Sequence, residues 1–132
     1  MLGMTRPSIL VVEDFEALRS SIMHWLRVRF PGIHIDGVGT GEEALEHARA
    51  SRPDVVLMDI DLPGISGLEA ANLFRVRSPG TAVVMLTLHD TPAHRQAAAT
   101  AGATAYVTKA DLEDTLGPTL EDLLASRARK PA

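Results

Sequence analysis

Three uninterrupted apolar runs, Ile9 to Val12, Val55 to Met58 and Ala82 to Leu86, constrain the fold of this chain more than any other feature. A strand that buries one face alternates apolar and polar residues. A run without alternation buries both faces, which is the condition of a central strand in a parallel sheet covered by helices on each side. Five strands are read in all: Ser8 to Val12, His34 to Val38, Asp54 to Met58, Ala82 to Leu86 and Thr104 to Val107. Segments of helical period separate them, and regular β–α alternation predicts an α/β fold, a doubly wound parallel sheet of five strands and five helices.

The intervening segments differ in strength. The first helix sets Phe15, Leu18, Ile22, Trp25 and Leu26 toward the sheet and ends at Pro31-Gly32, with Asp14 a candidate cap. The second, Gly41 to Ala50, offers Ala44, Leu45 and Ala48. Ser66 can cap a third that carries Leu68, Ala71 and Phe74. The fourth, Thr91 to Ala101, opens with a good Thr-Pro start but has only alanines for its apolar face, so weak anchoring is expected. The fifth follows Asp111 with Leu112, Leu116, Leu120, Leu123 and Leu124, and Gly117-Pro118 inside it predicts a kink or restart.

Length and composition exclude several function classes. A chain of 132 residues suits one domain, read as 1–132 with a core from about 8 to 125 and a polar, basic tail over 126–132. Net charge is −4, and the basic residues are scattered except for Arg127, Arg129 and Lys130, so no nucleic-acid surface is expected in this domain. The absence of cysteine removes disulfides, thiolate metal sites and a thiol nucleophile. No apolar run approaches the ~20 residues of a membrane span, and Met1 to Pro7 lacks the apolar core of a secretory signal. A cytoplasmic protein without membrane contact is the expectation. The histidines His24, His34, His47, His89 and His94 show no metal-ligand clustering with carboxylates and are read as surface or helix residues, except that His89 lies two residues after Thr87 and could border a site there.

In open parallel α/β sheets the site lies beyond the carboxyl ends of the strands. There the chain places Glu13 and Asp14 after the first run, Asp59 after the third, Thr87 after the fourth and Lys109 shortly after the fifth. Carboxylates brought together repel unless a cation sits among them. Oxygen-only donors suit a hard divalent ion, magnesium or manganese, with Asp14 and Asp59 as ligands and Glu13 acting through water. A carboxylate is also a competent nucleophile toward phosphorus. Phosphoryl transfer then asks mainly for charge compensation, which Lys109 and the Thr87 hydroxyl can supply.

The motifs Glu13-Asp14 after Ile9-Leu-Val-Val, Asp59 in Val56-Leu-Met-Asp-Ile-Asp-Leu-Pro-Gly, Thr87 after Val84-Met-Leu, and Tyr106 with Lys109 in Gly102-Ala-Thr-Ala-Tyr-Val-Thr-Lys resemble the receiver domains of bacterial two-component response regulators. The resemblance runs from Ile9 to about Ala125. It implies a flavodoxin-like (CheY-like) sheet of order 2-1-3-4-5, Asp59 as phosphoacceptor, a histidine kinase as phosphodonor, and Asp61 as a main-chain carbonyl ligand to the metal. It further implies a coupled movement of Thr87 and Tyr106 on phosphorylation, and a protein that catalyses only its own phosphorylation and dephosphorylation.

The stretches Phe30-Pro-Gly-Ile to Gly41-Glu-Glu-Ala-Leu and Thr108-Lys-Ala-Asp are similar to receivers of LuxR-type regulators, which implies control of transcription through a DNA-binding output domain not contained in this chain. A homodimer is compatible with the family, although Gly117-Pro118 departs from its usual last helix. Leu88 stands where the family usually has a small residue, and its bulk is expected to screen the phosphoryl group. Ala110 replaces a common proline, which makes a cis bond after Lys109 costly, at ~3–4 kcal/mol. Two other readings compete: a receiver-like interaction module that uses no phosphate, and a haloacid-dehalogenase-like phosphatase suggested by Asp59-Ile60-Asp61.

Overall fold

The computed structural model describes residues 6–88 and 90–128. Its strands are β1 (Ser8–Val12), β2 (His34–Val38), β3 (Val55–Asp59), β4 (Ala82–Thr87) and β5 (Ala105–Thr108). Its α-helices are α1 (Glu16–Arg29), α2 (Gly41–Ser51), α3 (Gly67–Arg77), α4 (Pro92–Thr100) and α5 (Gly117–Ala128). All strand pairs are parallel, in the order β2-β1-β3-β4-β5. This is the sheet order and element count that the resemblance implied.

Side chains alternate across a strand, and here both sides are covered. Ile9, Val11, Leu57, Val84 and Leu86 join Ile22 and Leu26 of α1 and Leu116, Leu120 and Leu124 in one core. Leu10, Val12, Val56, Met58 and Met85 join Ala44, Ala70, Ala71, Phe74 and Ala98 in the other. The continuous apolar runs are therefore two interleaved apolar faces. They fix the register, since a slip of one residue would exchange the two cores.

Several local expectations are corrected. Asp59 and Thr87 are the last residues of β3 and β4 rather than the first residues beyond them, because the ladder continues through the pairs Asp59↔Leu86 and Thr87↔Thr108. Backbone pairing does not require an apolar side chain. Phe15 is 64% exposed instead of facing the sheet: it is the cap position of α1, outside the helical stripe. Asp14 therefore does not cap that helix. After β5 the chain winds as a 3-10 turn over Lys109–Asp111 and a π-helical segment over Leu112–Leu116 before α5 begins at Gly117. Pro118 thus occupies a first turn, where its missing N–H leaves no bond unmade. Asp111 makes no capping bond; it accepts one from the Thr108 hydroxyl at 3.2 Å. No cis peptide occurs among the described residues, the Lys109–Ala110 bond included.

Two helices bear directly on the strand ends. The Ser66 Oγ accepts from Glu69 N at the start of α3, and the Gly67 N–H donates to the Ile60 carbonyl at 2.9 Å. A Cβ on Gly67 would lie 2.1 Å from the Asp59 carbonyl oxygen, so only glycine lets α3 dock this closely against the end of β3. Helix α4 buries Ala98 alone, with Ala101 just beyond it.

Two outcomes follow from this packing. Gly67→Ala is expected to lose about 1–3 kcal/mol of stability by overpacking, read by urea denaturation; an unchanged midpoint would show that α3 can retreat without strain. Amide exchange across 92–100 is expected to be faster than across 16–29, since few apolar contacts oppose local opening; equal protection would contradict weak anchoring.

Candidate functional site

The carboxyl ends of β1 and β3 and the residue after β5 bring four of the anticipated side chains together. Glu13 leaves β1 with its N–H bonded to the Val38 carbonyl at 3.1 Å and its own carbonyl accepting from Arg19 at 2.8 Å. These bonds turn its side chain inward, where it is 2% exposed. Asp59 is 5% exposed at the end of β3. Lys109 reaches back from the 3-10 turn, and its Nζ donates to Glu13 Oε1 at 2.7 Å and to Asp59 Oδ2 at 3.0 Å. Asp59 Oδ1 accepts from the Asp61 N–H at 3.1 Å, so both oxygens of this carboxylate are fixed.

Asp14 completes the group from the solvent side. Glu13, Asp14 and Asp59 each offer an oxygen within 4.8 Å of the other two, and Asp14 is exposed. Three carboxylates against one ammonium leave the cluster short of positive charge. The strain is visible at Glu13: burial, the largest influence, and the neighbouring Asp59 charge push its carboxyl above the ordinary value, against hydrogen bonds from Lys109 and the Phe15 N–H. Burial also opposes the charge on Lys109, yet its bonds to Glu13 and Asp59 outweigh that and hold the ammonium above its usual value. An added divalent cation would relieve the same imbalance.

The other anticipated residues are placed differently. Thr87 is fully buried at the end of β4, one residue beyond the partner of Asp59 in the ladder. Tyr106 lies on β5 opposite Met85, half-buried on the α4 side of the sheet. Leu88 is 74% exposed, at the rim rather than within the buried group. Asp61 is exposed and contributes its N–H to Asp59. His89 lies outside the described residues.

One residue escaped the sequence reading. The Arg95 guanidinium lies 4.7 Å over the Tyr106 ring and pairs with Asp90 at 2.5 Å, tying the start of α4 to β5. Nothing in the spacing of Asp90, Arg95 and Tyr106 announces this contact. A cavity of about 620 Å³ between α2 and α3 opens at the other end of the sheet, beside the starts of β3 and β4, and none of these side chains lines it.

Comparison with known proteins agrees with this geometry. Residues 9–119 match the response regulator receiver domain. The chain is 37% identical to the transcriptional activator protein ExaE of Pseudomonas putida, over 77% of this chain and 48% of that protein. It is 38% identical to the response regulator GacA of Pseudomonas aeruginosa, over 80% of this chain and 50% of that protein. The chain thus spans about half the length of the regulators it matches. Among solved structures, a LuxR-family two-component response regulator from Aurantimonas sp. SI85-9A1 superposes with a TM-score of 0.85 at 30% identity, covering 92% of this chain and 87% of that one. The chemotaxis response regulator CheY4 of Vibrio cholerae superposes with a TM-score of 0.81 at 30% identity, covering 90% and 99%. Sequence motifs, sheet order, the clustered carboxylates and these relatives agree: the chain belongs to the response regulator receiver domain family.

Proposed function

We propose that this receiver accepts a phosphoryl group on Asp59 from the phosphohistidine of a histidine kinase and passes the signal on as a change of conformation. The observation that carries the reading is the buried Lys109 ammonium bonded at once to Glu13 and Asp59. It holds one carboxylate in place as nucleophile and remains close by as a counter-charge. A carboxylate oxygen of Asp59 attacks phosphorus, the phosphorus–nitrogen bond of the donor breaks, and an acyl phosphate forms on Asp59. Lys109 and the Thr87 hydroxyl are the chain's own groups for the phosphoryl oxygens.

The excess of carboxylate supports a divalent cation of magnesium or manganese type. Asp14 and Asp59 would hold it directly, Glu13 through water, and Asp61 by its main-chain carbonyl. When bound, the ion neutralises charge on the transferring group. Asp14 is exposed, which leaves room for the waters such an ion retains.

In the switch we assign, the new charge on Asp59 draws Thr87 and Lys109 toward it, and Tyr106 follows. The Arg95 contact then belongs to the resting arrangement of Tyr106. Leu88 at the rim slows loss of the phosphoryl group. The chain would act on no substrate other than its own aspartyl phosphate.

The names of its relatives support transcription as the output, through a DNA-binding domain separate from this receiver and with a homodimer as the candidate active assembly. No helix among the described residues is long and apolar enough to cross a membrane, which fits the cytoplasmic setting we assign.

Intact mass after incubation with acetyl phosphate tests the reading. One phosphoryl adduct is expected with magnesium, strongly reduced without it and absent in Asp59→Asn. An adduct that persists in Asp59→Asn would put the acceptor at another residue, and no adduct in the parent under any condition would favour the phosphate-independent module.

A further inference from the structure

Folding brings together, at the other end of the sheet, histidines whose spacing along the chain shows no ligand pattern. His34 and Asp36 stand two residues apart on β2 and so share a face. His47 comes to them from α2. Asp36 Oδ2 lies 2.8 Å from His34 Nε2 and 3.1 Å from His47 Nε2. A cavity of about 310 Å³ adjoins the three, lined also by Arg6, Ser8 and Ser51. Arg6 is engaged elsewhere, donating to the Gly32 carbonyl at 2.9 Å.

Ser51 decides which nitrogen of His47 is available. Its hydroxyl donates to the His47 carbonyl at 2.9 Å, and the same Oγ lies 2.7 Å from His47 Nδ1. A hydroxyl has one proton, and with that proton on the carbonyl Oγ accepts from Nδ1, the tautomer that leaves Nε2 open to a ligand. In the neutral ring Nε2 is then a bare acceptor facing a carboxylate oxygen. Two acceptors at 3.1 Å repel unless a cation lies between them, either a proton on Nε2 or a metal ion. A ligand histidine whose second nitrogen is fixed by an outer hydrogen bond is the usual arrangement in metal sites.

We propose that His34, Asp36 and His47 form a transition-metal site of the zinc class, with Ser51 orienting His47. Two imidazoles and one carboxylate, with a fourth position left to water, match the donor preference of zinc and differ from the all-oxygen cluster around Asp59. The three ligand atoms stand further apart than those of the acidic cluster: among the described residues only Glu13, Asp14 and Asp59 place three within 4.8 Å of one another. Closure requires the two rings to draw together. The His34 side chain, 56% exposed at the start of an edge strand, is free to swing inward. Once occupied, the site clips β2 to α2 and stabilises the folded chain by linkage.

Zinc chloride is titrated calorimetrically into untagged, metal-free protein in excess magnesium, which masks the acidic cluster. One zinc per chain is expected, with affinity at least tenfold weaker in both His34→Ala and His47→Ala and unchanged in His24→Ala. Ser51→Ala should weaken it by about 10–100-fold if it orients His47; unchanged affinity would remove that role. Cobalt in place of zinc should give visible d–d absorption that both histidine variants lose. Circular dichroism of the metal-free variants, with His47→Gln as a conservative second substitution, separates loss of ligand from loss of fold. No saturable zinc uptake in the parent, or equal uptake in parent and both histidine variants, would overturn the proposal.

Discussion

The Lys109 ammonium, between Glu13 Oε1 at 2.7 Å and Asp59 Oδ2 at 3.0 Å, is the interaction on which the rest of the site depends. Burying two carboxylates side by side costs several kcal/mol per ion in desolvation, and one ammonium between them offsets only part of that. The remaining imbalance appears as the raised Glu13 carboxyl. A fold optimised only for stability would place apolar residues at these strand ends. This chain keeps three acids there, an excess of negative charge that a cation would offset.

The sheet supplies the rigidity this arrangement requires. β1, β3 and β4 are buried on both faces, so their registers are fixed by two cores at once. Each terminal residue is thereby held in position: Asp59 beside Leu86, and Thr87 beside Thr108. The close approach of Gly67 to the Asp59 carbonyl adds a third support from α3. Rigidity is not uniform. On the β5 side, α4 is held by Ala98, Ala101 and the Arg95 stack on Tyr106, a smaller set of apolar contacts than the other helices make.

Much of this was legible in the sequence because two-sided burial leaves a plain trace. The runs Ile9 to Val12 and Ala82 to Leu86 identify central strands, and the polar residues that end them identify the site. What the sequence left hidden depended on three-dimensional packing or on the backbone alone. The strand assignment missed Asp59 and Thr87 because the ladder is made by backbone groups. Phe15 and Asp14 were misjudged because the helix starts one residue later than its apolar pattern suggests. The π-helical winding of Leu112–Leu116 has the same apolar spacing as an α-helix over so short a length. Arg95 on Tyr106, and His47 on Asp36, join side chains of different elements, which the periodicity within one element does not report.

The central claim is that the acidic cluster is built around a missing positive charge. Calorimetric titration of magnesium into the metal-free chain at neutral pH tests it most directly, with Asp14→Asn and Asp59→Asn alongside. The account predicts one saturable site per chain, weakened by at least about tenfold, some 1.4 kcal/mol, in each variant. Binding that is absent from the parent, or equal in all three proteins, would contradict it.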